Sequence, residues 1–196
     1  MYSEKENTGS YNREIYLWRS LCQGEKKALD ELFRLYYTPL FDYGIKIISD
    51  EDQVKDAIQE LFLKMWKRHD CLATPDSVQA YLLVSMRRIL LRSLKRERNR
   101  YERNRKYIDN TFAVSFSKED LMIRYEIAEE KKEQLVQAIN QLNSRQKEAL
   151  FLRYYHGLTN REIADVMKIN HQSVKNNLYR ALKNVRGIVE SVSDSV

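Results

Sequence analysis

The sequence has few residues that interrupt helices, with only five glycines and two prolines among 196 residues. Residues that form helices well make up most of the remainder. Glycine and proline are the strongest local breakers of regular structure, and their scarcity therefore favours long helices. The composition predicts an all-α fold.

Cysteine and histidine are also scarce, which argues against two classes of site. Two cysteines, Cys22 and Cys71, are too few for a disulfide framework and do not have the spacing of a metal site. The three histidines, at positions 69, 156 and 171, do not group with them. We therefore expect no metal and no cofactor, a structural role for both thiols, and a reducing cytoplasm as the location.

Long apolar segments are missing as well. The N-terminal stretch MYSEKENTGSYNRE has no apolar core of the kind a signal peptide needs. No run approaches the ~18 apolar residues that a membrane span requires. The sequence predicts a protein without membrane insertion.

The positive charge is concentrated in one segment. The formal net charge is +6, yet residues 86–106 alone carry ten Arg and Lys against two acids, a net of +8. The rest of the chain is therefore slightly acidic, at −2. A concentrated basic segment indicates a polyanion partner. The alternative is a solvated charged helix, which is common for shorter runs.

Helical periodicity divides the chain into two units. We predict a disordered tail over 1–10, a helical domain over 11–100, a flexible basic linker over 101–120, a second helical domain over 121–190 and a tail over 191–196. In the first domain, Pro39 should kink or end its helix, and Ser77 should cap the fourth helix. The expected fold is thus two small helical domains joined by a linker.

The C-terminal domain has the layout of a helix-turn-helix. Thr159 can cap a short helix, and after a turn at 168–170 a second helix begins near His171. At about 100° per residue, one face of the second helix is apolar, with Val174, Leu178, Ala181, Leu182 and Val185. The opposite face, suited to phosphates and major-groove base edges, carries Lys175, Asn176, Tyr179, Arg180 and Lys183. An ordinary amphipathic surface helix is the alternative.

The third and fourth helices present contrasting outer faces. In the third, DQVKDAIQELFLKMW, the outer face carries Asp52, Asp56, Gln59 and an unexpected apolar residue, Leu63. Such a face suits another protein and would repel DNA. The outer face of the fourth helix mixes Tyr81 and aliphatic residues with Arg88, Arg92 and Lys95, which suits single-stranded nucleic acid. A solvated acidic face and simple packing of Tyr81 and Leu91 are the respective alternatives.

With these pieces in place, the chain from about Cys22 to Val189 resembles a bacterial sigma factor of the sigma-70 family, extracytoplasmic-function (ECF) group. ALDELFRLYYTPLFDYG, DQVKDAIQELFLKMW and AYLLVSMRRILLRSL look like region 2 of that family. LNSRQKEALFLRYYHGLTNREIADVMKINHQSVKNNLYRALKNVR looks like region 4. The resemblance implies a subunit without catalytic residues that binds core RNA polymerase and promoter DNA, with an anti-sigma factor as a further partner.

The resemblance also implies roles for individual residues. The residues expected to dock on the polymerase clamp are Asp52, Asp56, Gln59, Glu60 and Leu63. Those expected to face the melted −10 element are Arg68, Tyr81, Arg88, Arg92 and Lys95, together with the loop over 68–77. Those expected to read the −35 duplex are His171, Ser173, Lys175, Asn176, Tyr179 and Arg180. The linker from residue 101 to about 118 would run toward the active site and the RNA exit path.

Two positions depart from the family pattern. Many members have Asn where this chain has Arg88, so the resemblance does not fix the base preference at the −10 element, although a cation there is compatible with binding. Members often have Gly in the helix-turn-helix turn, where this chain has Lys168. Because a positive φ is unfavourable for lysine, the turn should differ locally or hold a strained conformer.

Two other functional classes fit the sequence less well. A free-standing helix-turn-helix regulator would have no use for the acidic helix with Leu63 or for the aromatic and basic fourth helix. A metal-dependent nuclease needs clustered carboxylates in a cleft, whereas the acids of 50–60 lie along one amphipathic helix without a histidine partner.

Overall fold

The computed structural model describes residues 3–102 and 129–193, and all regular structure within them is helical. The chain divides into two compact units, Met1–Thr111 and Phe112–Val196. The first contains α1 (Ser3–Cys22), α2 (Lys26–Ile47), α3 (Glu51–Lys67), a 3-10 turn (His69–Cys71) and α4 (Val78–Glu102). The second contains α5 (Glu129–Asn140), α6 (Ser144–Leu150), a π-helical turn (Phe151–Tyr155), α7 (Asn160–Met167) and α8 (His171–Ser193). The predicted all-α, two-domain fold class is confirmed; the linker lies mostly outside the described residues.

The first unit buries one apolar stripe from each of its four helices. Trp18 of α1, Tyr43 of α2, Ile58 of α3 and Leu90 of α4 are all completely buried. The inward stripe predicted for α3, at positions 54, 58, 61 and 65, is buried throughout, in agreement with the 3.6-residue period. Because this stripe is buried in the core, the opposite face of α3 must point outward.

Pro39 lies inside α2, so the prediction that the helix could end there is wrong. α2 continues for eight further residues, to Ile47. Proline removes only one helical hydrogen bond, that to the carbonyl of Leu35 four residues earlier. Leu35 is exposed, so water can reach this turn, while Tyr36 and Leu40 on either side of the proline are buried in the core. Tertiary packing thus outweighs the local penalty.

Gly44 permits a close approach of three helices. A Cβ atom built at this position would lie 2.6 Å from Cγ1 of Val54 on α3 and 3.0 Å from Cε of Met86 on α4. The first distance is shorter than packed side chains tolerate, so only glycine fits without displacing α3. This contact sets the separation between α2 and the α3–α4 pair.

Short side-chain caps begin α3 and α4. Asp50 accepts hydrogen bonds from the backbone N–H groups of Asp52 and Gln53, and this bonding lowers the pKa of its carboxyl. The predicted cap of α4 is confirmed, because Ser77 Oγ accepts from the N–H of Ala80 at 3.2 Å. These caps fix where α3 and α4 begin.

The first helix begins earlier than the sequence analysis placed it. α1 starts at Ser3, within the stretch assigned to a tail over 1–10. No proline occurs in this stretch, and its one glycine, Gly9, weakens a helix but keeps the backbone N–H that a helix needs.

The second unit places α7 and α8 in a helix-turn-helix. Asn143 with Gln146 and Thr159 with Glu162 form capping boxes at the starts of α6 and α7, which confirms the cap predicted at Thr159. α7 spans Asn160–Met167, as its periodicity indicated. Ile163 of α7 and Val174 of α8 are completely buried, so the two helices share the core of this unit.

Lys168 adopts the strained conformer expected in the turn between α7 and α8. Its φ of 53° and ψ of 48° are left-handed, and it is the one residue other than glycine with a positive φ among the described residues. Its backbone N–H still reaches the Ala164 carbonyl, which closes the helix end in the manner that glycine usually provides.

Lys168→Gly is expected to raise the free energy of unfolding of this unit by about 1 kcal/mol, because glycine avoids the Cβ clash of the left-handed region. Lys168→Ala is the matched control, since it removes the same charge and keeps the Cβ. Chemical denaturation of the three proteins measures the difference. Equal stabilities for the glycine and alanine variants would show that the turn is unstrained.

Candidate nucleic-acid interface

A cavity of about 560 Å³ opens between α3, the loop that follows it and α4. This volume lies within the range of pockets that hold small organic molecules. We call it the α3–α4 cavity, and its lining consists of Leu61, Lys64, Met65, Arg68, Cys71, Leu72, Ala73, Thr74, Pro75, Tyr81, Ser85, Arg88, Ile89 and Arg92.

The α3–α4 cavity is strongly basic. Lys64 and Arg68 line it from α3 and its C-terminus, and Arg88 and Arg92 line it from α4. No Asp or Glu is among the lining residues, although Lys64 forms an ion pair with Glu60 nearby. All four cations are exposed to solvent. Their charges stay hydrated in the folded protein, which therefore bears no cost of charge burial, and they are accessible to an anionic ligand.

Apolar and aromatic groups complete the walls of the α3–α4 cavity. Met65 and Ile89 form part of the lining and belong to the core. Tyr81 is half-buried, and its ring packs against the ring of Trp18 with centroids 4.9 Å apart at 75°. The packing alternative for Tyr81 is therefore correct, and yet the same residue lines the cavity. Cations beside an apolar wall can hold an unstacked base together with its phosphates.

Four of the five residues expected at the −10 element line the α3–α4 cavity: Arg68, Tyr81, Arg88 and Arg92. Lys95 does not line it. It is exposed seven residues after Arg88 and extends the same basic face of α4 beyond the cavity. The sequence analysis missed Lys64 and Ser85, whereas Thr74 lies in the loop over 68–77 that it expected at the −10 element. Lys64 follows Leu63 on α3, and only the packing of α4 beside that helix brings it to the cavity.

The outer face of α3 is solvent-exposed along its length. All five residues expected to dock on polymerase, Asp52, Asp56, Gln59, Glu60 and Leu63, are exposed. Leu63 exposes 57% of its surface, which is unusual for a leucine in the middle of a helix. Two cations on the same helix, Lys55 and Lys64, pair with acids and weaken its negative charge; Glu51 raises the pKa of Lys55.

The residues expected to read the −35 duplex lie in the first half of α8. His171, Lys175, Asn176, Tyr179 and Arg180 are exposed, whereas Ser173 is half-buried. The backbone N–H of Ser173 donates to Asn170 Oδ1 at 2.7 Å, which caps the helix.

The side chain of Asn176 is oriented within this surface. Gln172 Nε2 donates to Asn176 Oδ1 at 3.1 Å, so the amide nitrogen of Asn176 stays available as a donor. A fixed amide next to exposed cations is a suitable reader of base edges in the major groove.

Leu182 corrects the predicted inward face of α8. It is 46% exposed, while Val174, Leu178 and Ala181 are buried as expected. Leu182 lies about 100° around the helix from Ala181, and the described helices of the second unit do not cover that side of α8. The apolar face of α8 is therefore narrower than its sequence indicates.

Two negative findings bear on other classes of site. Within residues 3–102 and 129–193, no three His, Cys, Asp or Glu side chains form a group that could hold a metal ion. Among the same residues, no helix is both long and apolar enough to cross a bilayer.

Comparison with known families accounts for both units. Residues 32–100 match the family described as Sigma-70 region 2, and residues 132–185 match Sigma-70, region 4. The chain belongs to the sigma-70 family. The first match contains α3, α4 and the cavity between them, and the second contains the helix-turn-helix. The resemblance inferred from sequence is thereby confirmed.

The relatives of this sigma factor belong to the ECF group. The ECF RNA polymerase sigma factor SigK of Mycobacterium ulcerans (strain Agy99) is 24% identical over 177 residues, which cover 89% of this chain and 92% of SigK. SigX of Bacillus subtilis (strain 168) is 19% identical over 172 residues, covering 86% and 89% respectively.

Two solved structures share the fold. CnrH, in complex with the cytosolic domain of CnrY, has a TM-score of 0.60 at 14% identity and covers 91% of this chain and 98% of its own. RpoE of Bartonella quintana, in complex with the anti-sigma factor NepR, has a TM-score of 0.58 at 19% identity, with 84% and 98% covered.

The sigma factor thus binds core RNA polymerase and directs it to promoters, as the family does. Sigma factors as a family are transcription initiation factors, and the family assignment replaces the alternative of a regulator that acts without polymerase.

Proposed function

We propose that this sigma factor divides promoter recognition among three surfaces. The α3–α4 cavity and the adjoining face of α4 hold an unpaired −10 base and its phosphates. The outer face of α8 reads the −35 duplex. The outer face of α3 docks on core polymerase and makes no contact with DNA.

The basic lining of the α3–α4 cavity is the observation that carries the −10 assignment. A base taken out of a duplex leaves its stack, and apolar walls such as those formed by Met65, Tyr81 and Ile89 replace some of the lost contacts. Its flanking phosphates need cations, which Arg68, Arg88 and Arg92 supply. A cavity for a cationic or neutral metabolite would not be lined by four cations without a carboxylate.

The −35 assignment is supported by the exposure and charge of α8. Its outer face has no acidic residue between His171 and Arg186. The helix itself begins directly after the turn of the helix-turn-helix. The N-terminal half of a recognition helix is the part that reaches base edges. Lys175, Asn176, Tyr179 and Arg180 all lie in that half.

We also propose an anti-sigma factor as a partner and the cytoplasm as the location. The support for the partner is that RpoE of Bartonella quintana, which shares the fold, is bound to the anti-sigma factor NepR. CnrH, which also shares the fold, is bound to the cytosolic domain of CnrY. Two of the exposed leucines among the described residues, Leu63 and Leu182, are available for an apolar contact of that kind.

In vitro transcription with purified core polymerase on a pool of randomised promoters tests the proposal. The enriched sequences should contain a −35 element and a −10 element, and transcription should depend on both the chain and the polymerase. Variants in the α3–α4 cavity should alter only the −10 preference, and variants in α8 only the −35 preference. Loss of both preferences by an α4 variant would contradict the division.

Arg180→Ala is expected to cost about 1–3 kcal/mol at the −35 element and to relax the preference at one base pair, if its guanidinium reads a base edge. Arg145→Ala removes an exposed arginine from α6 of the same unit and should leave the preference intact. Selection from the promoter pool measures both. A uniform loss across all −35 sequences would make Arg180 a phosphate contact instead.

A further inference from the structure

Trp18 of α1 joins the first helix to the wall of the α3–α4 cavity. Its side chain is completely buried, and Nε1–H donates a hydrogen bond to the carbonyl oxygen of Ala73 at 3.2 Å. Ala73 lies in the irregular segment 72–75, which lines the cavity and which we call the cavity loop. Because a buried indole N–H needs a partner, this bond fixes the backbone position of the loop.

A second contact from α1 reaches the neighbouring residue of the cavity loop. Cys22 Sγ lies 3.5 Å from the carbonyl oxygen of Leu72 and donates to it. Leu72 and Ala73 carry no helical hydrogen bonds of their own beyond the bond that Leu72 N–H gives to His69 at 3.5 Å. Side chains of α1 thus supply two of the bonds that hold this segment.

Trp18 also contacts the opposite wall. Its ring packs edge to face against the ring of Tyr81 on α4. A single side chain thus touches both the cavity loop and a residue of the facing helix. Trp18 itself does not line the α3–α4 cavity, and it precedes the segment that matches Sigma-70 region 2.

We propose that Trp18 is a positioning residue for −10 recognition: it sets the distance between the cavity loop and Tyr81, and thereby the base that the cavity accepts. This inference rests on the proposed −10 role of the cavity. Trp18 acts through Ala73 and Tyr81 and makes no contact with DNA.

The test uses Trp18→Phe in the full chain, with polymerase, on promoters that carry each of the four bases at the unpaired −10 position. Phenylalanine keeps a ring in the core and removes the N–H donor. The ratio of transcription from the best base to that from the worst should fall at least about fivefold. Polymerase affinity and −35 preference should stay unchanged.

Leu32→Val is the control for lost stability. Leu32 is completely buried in α2 and does not line the α3–α4 cavity. Destabilisation alone lowers transcription from all four promoters by the same factor and leaves their ratio intact. If Trp18→Phe behaves in this way, Trp18 is a core residue only and the inference is wrong.

Two variants of Cys22, to alanine and to serine, keep the test decisive if Trp18→Phe does not fold. Cys22 is half-buried, so Cys22→Ala disturbs the core little while it removes the donor to Leu72. We expect the base ratio to fall about twofold in Cys22→Ala and to return in Cys22→Ser, which keeps a donor. An unchanged ratio in Cys22→Ala, with Trp18→Phe unfolded or unchanged, overturns the inference.

Arg88→Ala separates this inference from the proposed function. Arg88 lines the α3–α4 cavity, so the base ratio must respond to its loss if the cavity reads the −10 element. A response to Arg88→Ala without one to Trp18→Phe or Cys22→Ala refutes only the positioning role. No response to any of the three refutes the −10 assignment itself.

Discussion

Leu63→Arg is expected to weaken the affinity of the sigma factor for core polymerase at least about 30-fold, in the range of an interface hot spot at ~2 kcal/mol or more. Leu63 is the one apolar group among the exposed acids and amide of the outer face of α3, at 57% exposure. If Leu63 makes a buried apolar contact at the centre of the interface, arginine at this position would leave an unpaired charge buried there. Competition binding with labelled core enzyme measures the change.

Leu35→Arg is the matched control for that substitution. Leu35 is an exposed leucine of the same unit, on α2. It lies two residues after Phe33, whose ring packs against Phe62 of α3 with centroids 5.1 Å apart. Two residues correspond to about 200° of helix rotation, so Leu35 points away from α3. Arginine at this position should leave polymerase affinity unchanged.

The folded state and the DNA surfaces should survive in both variants, because neither leucine belongs to the core. Binding of the full chain to −35 duplex DNA reports on this directly. Equal losses of polymerase affinity in Leu63→Arg and Leu35→Arg would place the docking surface elsewhere. Unchanged affinity in Leu63→Arg would mean that the outer face of α3 is only a solvated acidic surface.

Helical periodicity predicted most of the fold because each helix has one face that must be buried. The stripe at Val54, Ile58, Leu61 and Met65 is buried throughout α3, and α7 has the bounds that its pattern indicated. Periodicity describes one helix at a time, however. It overestimated the width of the apolar face at Leu182, because the number of helices that pack against α8 is a property of the whole unit.

Local propensity was a poorer guide where packing and strain compete. Pro39 lies within α2 because buried residues on both sides hold the helix together. Lys168 adopts a left-handed conformation because the chain must turn there between two packed helices. The missing glycine made that strain visible in the sequence, whereas nothing local to Pro39 could reveal the packing around it.

The candidate −10 site was only partly visible in the sequence. The cations of α4 stand out through their charge and spacing, and resemblance added Arg68 and the loop over 68–77. Lys64 and the cavity loop come from other elements, and only the packing of α3 beside α4 brings them together. The hydrogen bond from Trp18 to Ala73 joins residues 55 positions apart, and no periodic pattern encodes such a contact.

Reversing two charges of the α3–α4 cavity should strongly impair promoter opening. In the double variant Arg88→Glu, Arg92→Glu we expect at least about a tenfold loss of open complexes, since acids placed against the phosphates of a single strand repel them. Binding of a −10 single strand by the sigma–polymerase complex should also lose about 1.4 units of its slope against log salt concentration, at ~0.7 per phosphate contact. Permanganate footprinting and salt titration measure the two quantities.

Lys26→Glu with Lys27→Glu provides the same change in net charge away from the α3–α4 cavity. Both lysines are exposed in the first turn of α2, where acids are favourable to the helix dipole. If the cavity reads the −10 element, this control should retain open-complex formation and the full salt slope, because only local charge acts on the strand within it. Similar losses in both double variants would mean that the overall charge of the chain attracts DNA, and the cavity would then have no part in opening it.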